Sequence, residues 1–332
     1  MRWSLALGLL LMAPLLAGCV QFEDTPSSGS QSTGPSHSAT GSQTGHRSTT
    51  ATGTPRPGSG GGGGGGGGSG GLGGNGTDGA SGNATGPPRE WAALGVATIR
   101  PGASINGGEC TANFVFTSLD NSTVYLGTAA HCFSNDGNTA TDGCVADVQA
   151  LGAKRDISGA SHAAVLVYSS WAAMQAAGAS GDVCNNNDFA LMQLDPEDAA
   201  KVNPAMQSFG GPTGIATASD INTFSHILSY GNSGSRPEDS ALSPREGYVT
   251  LPAGGCDSRV VFPNAAIPGD SGSPVIMANG LAMGDFVSIE LAPLAGQGHV
   301  CLLEDLLAYA ASVGMPVRLA TAELIDGGIL PV

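Results

Sequence analysis

From about Gln21 to Pro88 the chain is built of Ser, Thr, Gly and Pro with hardly a large apolar side chain, and Gly60–Gly68 is an unbroken run. Such a stretch cannot bury a core, so any fold must be made from residues 89–332. Gly-rich chains are flexible coils whose reach grows with the square root of length, which makes residues 19–88 a disordered tether of about 40–50 Å on average. After Arg89 the texture changes. Short runs rich in Val, Ile, Phe, Leu and Thr alternate with Gly, Asn, Asp and Pro: Asn113–Thr117, Thr123–Leu126, Ala163–Tyr168, Phe189–Leu194, Arg259–Phe262, Pro274–Met277 and Asp285–Ile289. This spacing predicts an all-β barrel or sandwich. The clearest helix is expected over Leu302–Ser312, where Leu303, Leu306, Leu307 and Ala310 make an apolar stripe.

The first residues read as an export signal. Arg2 precedes an apolar stretch, Leu5–Leu16, that is shorter than the roughly 20 residues a bilayer span needs, so residues 1–18 are expected to be a signal peptide. Leu16-Ala17-Gly18-Cys19 resembles the bacterial lipobox, which implies a diacylglycerol thioether on Cys19 and attachment to a membrane. Ordinary cleavage leaving an unmodified thiol is the alternative. The seven cysteines contain no CxxC pair, which argues against zinc ribbons and for disulfides in an oxidising, extracytoplasmic compartment. Six remain once Cys19 is set apart, and their pairing is open at this point. A net charge of -15 repels phosphate backbones, so nucleic acid is not an expected partner. A monomer reaching outward on its stalk is the simplest organisation.

Three segments carry chemistry. Leu126–Cys132 sets His131 just after a strand and beside Cys132; taken alone, one histidine of six is a structural residue more often than a catalytic one. In Asn186–Leu191, Asp188 opens an apolar strand, where a carboxylate needs a partner because burying it uncompensated is costly. In Pro268–Pro274, Ser271 sits between glycines ahead of a strand. A tight glycine turn lets backbone N–H groups converge on one point, as an oxyanion hole requires.

In the order His, Asp, Ser, these segments resemble the chymotrypsin/trypsin-like serine peptidase family, whose pattern is TAAHC, then Asp-hydrophobic-Ala-Leu, then GDSGxP. The match covers about Ala92–Val313, and Ile99–Gly102 with Glu109–Val115 also looks like bacterial members. The resemblance implies a double six-stranded β-barrel with a C-terminal helix, and a serine endopeptidase, a hydrolase of polypeptides, that needs no cofactor and no metal. Ser271 would be the nucleophile, His131 the general base and then acid, and Asp188 the group that orients the imidazolium. The N–H groups of Gly269 and Ser271 would form the oxyanion hole.

The same resemblance implies a Cys110–Cys132 disulfide. The other four cysteines, taken in chain order, would then pair Cys144 with Cys184 and Cys256 with Cys301. Asp270, beside the nucleophile, pairs with a new N-terminal amine in many animal members; no such cleavage site is present here, so Arg236, Arg245 or Arg259 is expected to serve. Counting back from Ser271 places Ala265 near the base of the specificity pocket. Asp285–Glu290 would form a second wall, with Ser288 bonding Asp188 and Glu290 narrowing an entrance where the family has Gly. Small or medium uncharged side chains are therefore the expected substrate residues. Gly231–Ser235 is a second serine loop of similar composition, but Arg236-Pro237-Glu238-Asp239 follows it where the family has an apolar strand, so Ser233 is expected to be a loop residue.

A catalytically inactive homologue acting as a surface binding module is the alternative, and Glu290 is the only residue that favours it. An α/β-hydrolase esterase would need Gly-x-Ser-x-Gly with Ser first in the chain, and a metal hydrolase a motif such as HExxH; neither is present.

Overall fold

Period-two burial, as in Ala164–Ser169 where alternate side chains enter the core, makes short strands the repeating unit of the fold. The protein is described by a computed structural model over residues 88–136, 141–237, 240–290 and 297–325. Residues 1–87, with the expected signal peptide, Cys19 and almost all of the tether, lie outside the described residues.

The first half holds β1 (Ser104–Ile105), β2 (Cys110–Thr111), β3 (Val115–Thr117), β4 (Val124–Thr128), β5 (Lys154–Arg155), β6 (Ala164–Ser169) and β7 (Ala190–Gln193). The second holds β8 (Gly214–Ile215), β9 (His226–Tyr230), β10 (Pro244–Leu251), β11 (Ser258–Val261), β12 (Ser273–Met277), β13 (Leu281–Glu290) and β14 (Gln297–Leu302). β15 (Arg318–Leu319) follows and returns to the first half.

In the second half β12-β9-β10-β11-β14-β13 run antiparallel, and β13 pairs back onto β12 to close a six-stranded barrel; β8 adds in parallel outside it. Val249, Val260, Phe262, Val275, Met283, Phe286 and Val300 fill it. The first half is a six-stranded sheet, β15-β3-β4-β7-β6-β5, around Ile99, Ala112, Val115, Leu126, Phe133, Leu166 and Met192. Two β-barrels are thus the architecture, as expected.

Between the barrels lies a third apolar layer. Phe114, Phe116, Tyr168 and Phe189 meet Leu228, Tyr230, Ile276 and the buried stripe Leu303, Leu306, Leu307 and Ala310 of a helix over Leu303–Ser312. That helix matches the expected one, but the chain continues past it into β15. A helix not anticipated, α1 (Ser170–Ala177), follows β6 directly; Ser169 caps its start, accepting from Ala172 N–H, and Gly178 ends it at φ 61°. Short α2 (Pro196–Ala199) follows, so the helix over Leu303–Ser312 is α3. No helix among the described residues is long and apolar enough to cross a membrane.

Three disulfides, Cys110–Cys132, Cys144–Cys184 and Cys256–Cys301, span sequence separations of 22, 40 and 45. Each removes chain entropy worth about 3–4 kcal/mol from the unfolded state, and all three fit an extracytoplasmic protein.

Candidate active site

His131 lies in a single 3₁₀ turn, Ala130–Phe133, directly after β4, and the Cys110–Cys132 bond ties that turn to β2. Its ring is buried. Asp188 stands two residues before β7, which pairs with β4, so the register Thr128↔Ala190 brings the two residues together. Asp188 Oδ1 accepts the His131 backbone N–H at 2.9 Å, and Oδ2 lies 2.6 Å from Nδ1. The start of α1 grips the peptide groups on both sides of Asp188. Ser170 Oγ and Trp171 Nε1 both donate to Asn187 O, at 3.1 and 3.0 Å, while Phe189 N donates to Ser170 Oγ and Ser170 N to Phe189 O. Trp171 is fully buried with its ring 6.3 Å from that of His131. A carboxylate on a rigid backbone holds the imidazole in one orientation.

The loop that carries Ser271 abuts the same turn. A Cβ on Gly272 would meet Thr128 Oγ1 at 2.2 Å and Ala129 N at 2.9 Å, so at φ 81° only glycine lets the loop lie this close. Thr111 N donates to Ser271 O at 2.9 Å, completing the contact. Ser271 itself is half-buried, and its hydroxyl makes no hydrogen bond to His131 among the described residues. In unliganded serine sites that bond is often long and tightens on binding.

Around Ser271 the backbone amides divide into two sets. Asp270 N donates to Ile267 O at 3.0 Å, Gly272 N to Phe286 O at 2.7 Å and Ser273 N to Asp270 O at 3.0 Å. The N–H groups of Gly269 and Ser271, on either side of Asp270, have no acceptor among the described residues. Buried amides are nearly always paired, so two open ones beside one serine mark a place for a ligand oxygen.

Asp270 is wholly buried and anchors the loop. Arg236 Nη2 and Arg245 Nη1 both donate to its Oδ2, the latter at 3.0 Å, as does Ile267 N at 2.9 Å. Arg245 is also completely buried, donates to Ser229 Oγ and Ser273 Oγ, and lies over the rings of Phe262 and Phe286. Burial lowers its pKa to about 10, against the opposing pull of Asp270, and it remains a cation at neutral pH. Of the three candidate arginines, two bind Asp270, while Arg259 turns to Glu290 at 3.6 Å.

Two pocket residues lie elsewhere than expected. Ser288 does not bond Asp188; its Oγ pairs with His299 Nδ1 at 2.9 Å. A bulge between Phe286 and Ser288 sets Ser288 opposite His299 and re-aims its side chain. Ala265 is exposed, not enclosed at a pocket floor, and its neighbour Ala266 enters the barrel core. A residue count from Ser271 fixes distance along the chain but not which side faces inward. Glu290 is mostly buried, its Oε1 3.0 Å from His299 Nε2, so Ser288, His299, Glu290 and Arg259 form one polar string across β13, β14 and β11.

Asp285 belongs to none of the three motif segments. It is completely buried in β13, and neither carboxyl oxygen has a hydrogen-bond partner among the described residues. Burial first, and the charge of Asp188 second, push its pKa well above the usual carboxylate range. An unfolded Asp loses its proton near pH 4, whereas the folded one keeps it, so this group's contribution to stability falls as pH rises above about 4. Asp285→Asn, which mimics the neutral acid, is expected to match wild type near pH 4 and to gain about 1.4 kcal/mol over it per pH unit above that, up to the folded-state pKa. Urea midpoints between pH 4 and 8 check this; a gap that does not grow with pH would show Asp285 to be ionised.

No curated relative matches the chain. Solved structures similar to it include Thermobifida fusca Protease A, at 16% identity over 68% of this chain and 100% of that one with a TM-score of 0.40. Nocardiopsis protease is similar at 17% identity over 67% and 99%, with a TM-score of 0.39. A glutamic acid-specific serine protease that uses a histidine triad in substrate binding is similar at 18% over 67% and 100%, with a TM-score of 0.40. The trypsin family model matches residues 117–290, more than half of the chain and a span that includes His131, Asp188 and Ser271, and the chain therefore belongs to the trypsin family of serine proteases.

Proposed function

We propose that this protein is a serine endopeptidase that cleaves polypeptides through an acyl-enzyme on Ser271. The observation that carries the reading is the pair of open N–H groups of Gly269 and Ser271 beside a serine whose loop abuts the His131–Asp188 pair. Ser271 Oγ attacks the scissile carbonyl carbon while His131 Nε2 takes its proton. Asp188 stabilises the resulting imidazolium, and the carbonyl oxygen, now negative, accepts from the two N–H groups. His131 then protonates the leaving amine, and a water molecule repeats the sequence to release the acid.

The substrate residue on the acyl side of the cleaved bond is small and uncharged. Glu290, drawn in by His299 and Arg259, occupies the wall where a larger side chain would enter, and its charge is offset by Arg259. A lipid on Cys19 anchors the protein at the outer cell surface, with residues 19–88 as the tether.

The test is incubation of the full chain with a fluorophosphonate probe, casein and a peptide library, followed by mass spectrometry. The expected result is one adduct, on Ser271 and not on Ser233, with cleavage after Ala or Val at least about tenfold faster than after Phe or Arg, and a diacylglyceryl mass on the N-terminal peptide. A folded protein that neither labels nor cleaves would sink the enzyme reading; fast cleavage after Phe or Arg would sink the pocket assignment alone.

A further inference from the structure

The second serine loop, Gly231–Ser235, lies directly behind the first. Ser233 is buried, and its hydroxyl donates to Pro268 O while accepting from Ser235 N. Gly234 N donates to Gly108 O at 3.0 Å and holds the loop against the β1–β2 hairpin. The fit is tight: a Cβ on Gly269 would meet Gly108 O at 2.2 Å and Ser233 Oγ at 2.9 Å. A hydroxyl so enclosed has no access to a substrate.

Its acceptor matters more than its burial. Pro268 and Gly269 are the central residues of a turn closed by Asp270 N donating to Ile267 O, and Gly269 has φ 98°. Pro then Gly, with positive φ on the second, is the type II arrangement; the type I form differs by a flip of the peptide between them. Glycine tolerates both signs of φ, so the turn alone discriminates weakly between the two. A trans peptide is planar, and the C=O of Pro268 and the N–H of Gly269 point in opposite directions. The flip would exchange them, placing a carbonyl oxygen where an amide hydrogen is needed.

We propose that Ser233 is a positioning residue: its hydroxyl holds the Pro268 carbonyl and so locks the Pro268–Gly269 peptide with the Gly269 N–H aimed at the carbonyl oxygen of a substrate at Ser271. This rests on the acyl-enzyme reading above. Asp270, held by Arg236 and Arg245, fixes the far end of the same turn, and Asp270 O, accepting from Ser273 N, orients the Ser271 N–H in the same way. The two open amides are each aimed by a bond to the carbonyl of their own peptide.

Three variants of the full chain test it: Ser233→Ala, and the isosteric pair Ser233→Thr and Ser233→Val, which differ by a hydroxyl against a methyl. Kinetics are expressed per active site titrated with fluorophosphonate. Ser233→Ala and Ser233→Val are expected to lose about 10- to 100-fold in kcat, with KM within about twofold of wild type, because the Gly269 N–H that loses its alignment acts on the charged oxygen and not on the ground state. Ser233→Thr is expected to stay within about threefold. A merely structural role would reduce the titrated fraction while leaving kcat per site intact; that outcome, or equal kcat for the Thr and Val variants, would overturn the proposal. Absence of Ser271-dependent labelling in wild type would instead overturn the acyl-enzyme reading beneath it.

Discussion

Ser271→Ala is expected to lower kcat on a cleavable peptide by about a million-fold, the scale seen when the nucleophile of a catalytic triad is removed. The residue left behind cannot form an acyl-enzyme, but the N–H groups of Gly269 and Ser271 survive the substitution. Attack by water assisted by His131 would remain, at about 10³–10⁴ times the uncatalysed rate. KM is expected to change little, because the hydroxyl contributes nothing to binding the substrate backbone. The fold should be untouched, since the only hydrogen bond at this residue among the described residues is made by its backbone carbonyl. The measurement is single-turnover hydrolysis beside a urea melt. Activity that survives within about tenfold, in a variant with wild-type stability, would place the nucleophile elsewhere.

Asp270→Asn is expected to lose both stability and activity. One carboxylate, wholly buried, is shared by two guanidinium groups that are themselves buried. The asparagine keeps the shape and can accept the Ile267 N–H, but the cations of Arg236 and Arg245 are then left facing each other. Breaking a buried ion pair from one side costs about 3–5 kcal/mol. The turn from Ile267 to Asp270 also loses its anchor, so kcat per titrated site should fall by a further 10²–10³-fold, roughly the value of an oxyanion donor. Adding Arg245→Met is expected to recover part of the stability and none of the activity. A single variant whose denaturation midpoint matches wild type would mean that the arginines are balanced by other groups.

Much of this site was legible because its chemistry is local in sequence. His131, Asp188 and the Ser271 loop each sit at the end of a strand whose apolar run is visible, and the glycines of the loop declare a tight turn. Direction was less legible than position. Ser288 was placed on the correct strand and aimed at the wrong partner, because a one-residue bulge turns a strand over without leaving a mark in composition. Strand β10 was missed because Arg245 and Glu246 interrupt it, although Arg245 is among the most buried residues present. A charged side chain enters a core only when a partner waits there, and that partner, Asp270, lies 25 positions away. β14 and β9 are likewise short and polar at one end. Helix α1 hid in an apolar octet without a polar face, yet its signals were present: Ser169 ahead of it and Gly178 just after. Asp285 could not have been singled out from its neighbours, since nothing in a strand sequence reports the carboxylate across the gap.

The last strand alters how the molecule must be assembled. β15 pairs with β3 through Arg318↔Thr117 and Leu319↔Phe116, and Arg318 also donates to Asn121 Oδ1 and Leu119 O. The outer edge of the first barrel is therefore covered only once Arg318 and Leu319 have reached β3. Contacts spanning some two hundred residues form slowly, because the loop entropy is lost before the pairing is gained. Until that pairing forms, β3 offers an unpaired edge on which a second chain could pair, so slow assembly is an aggregation hazard.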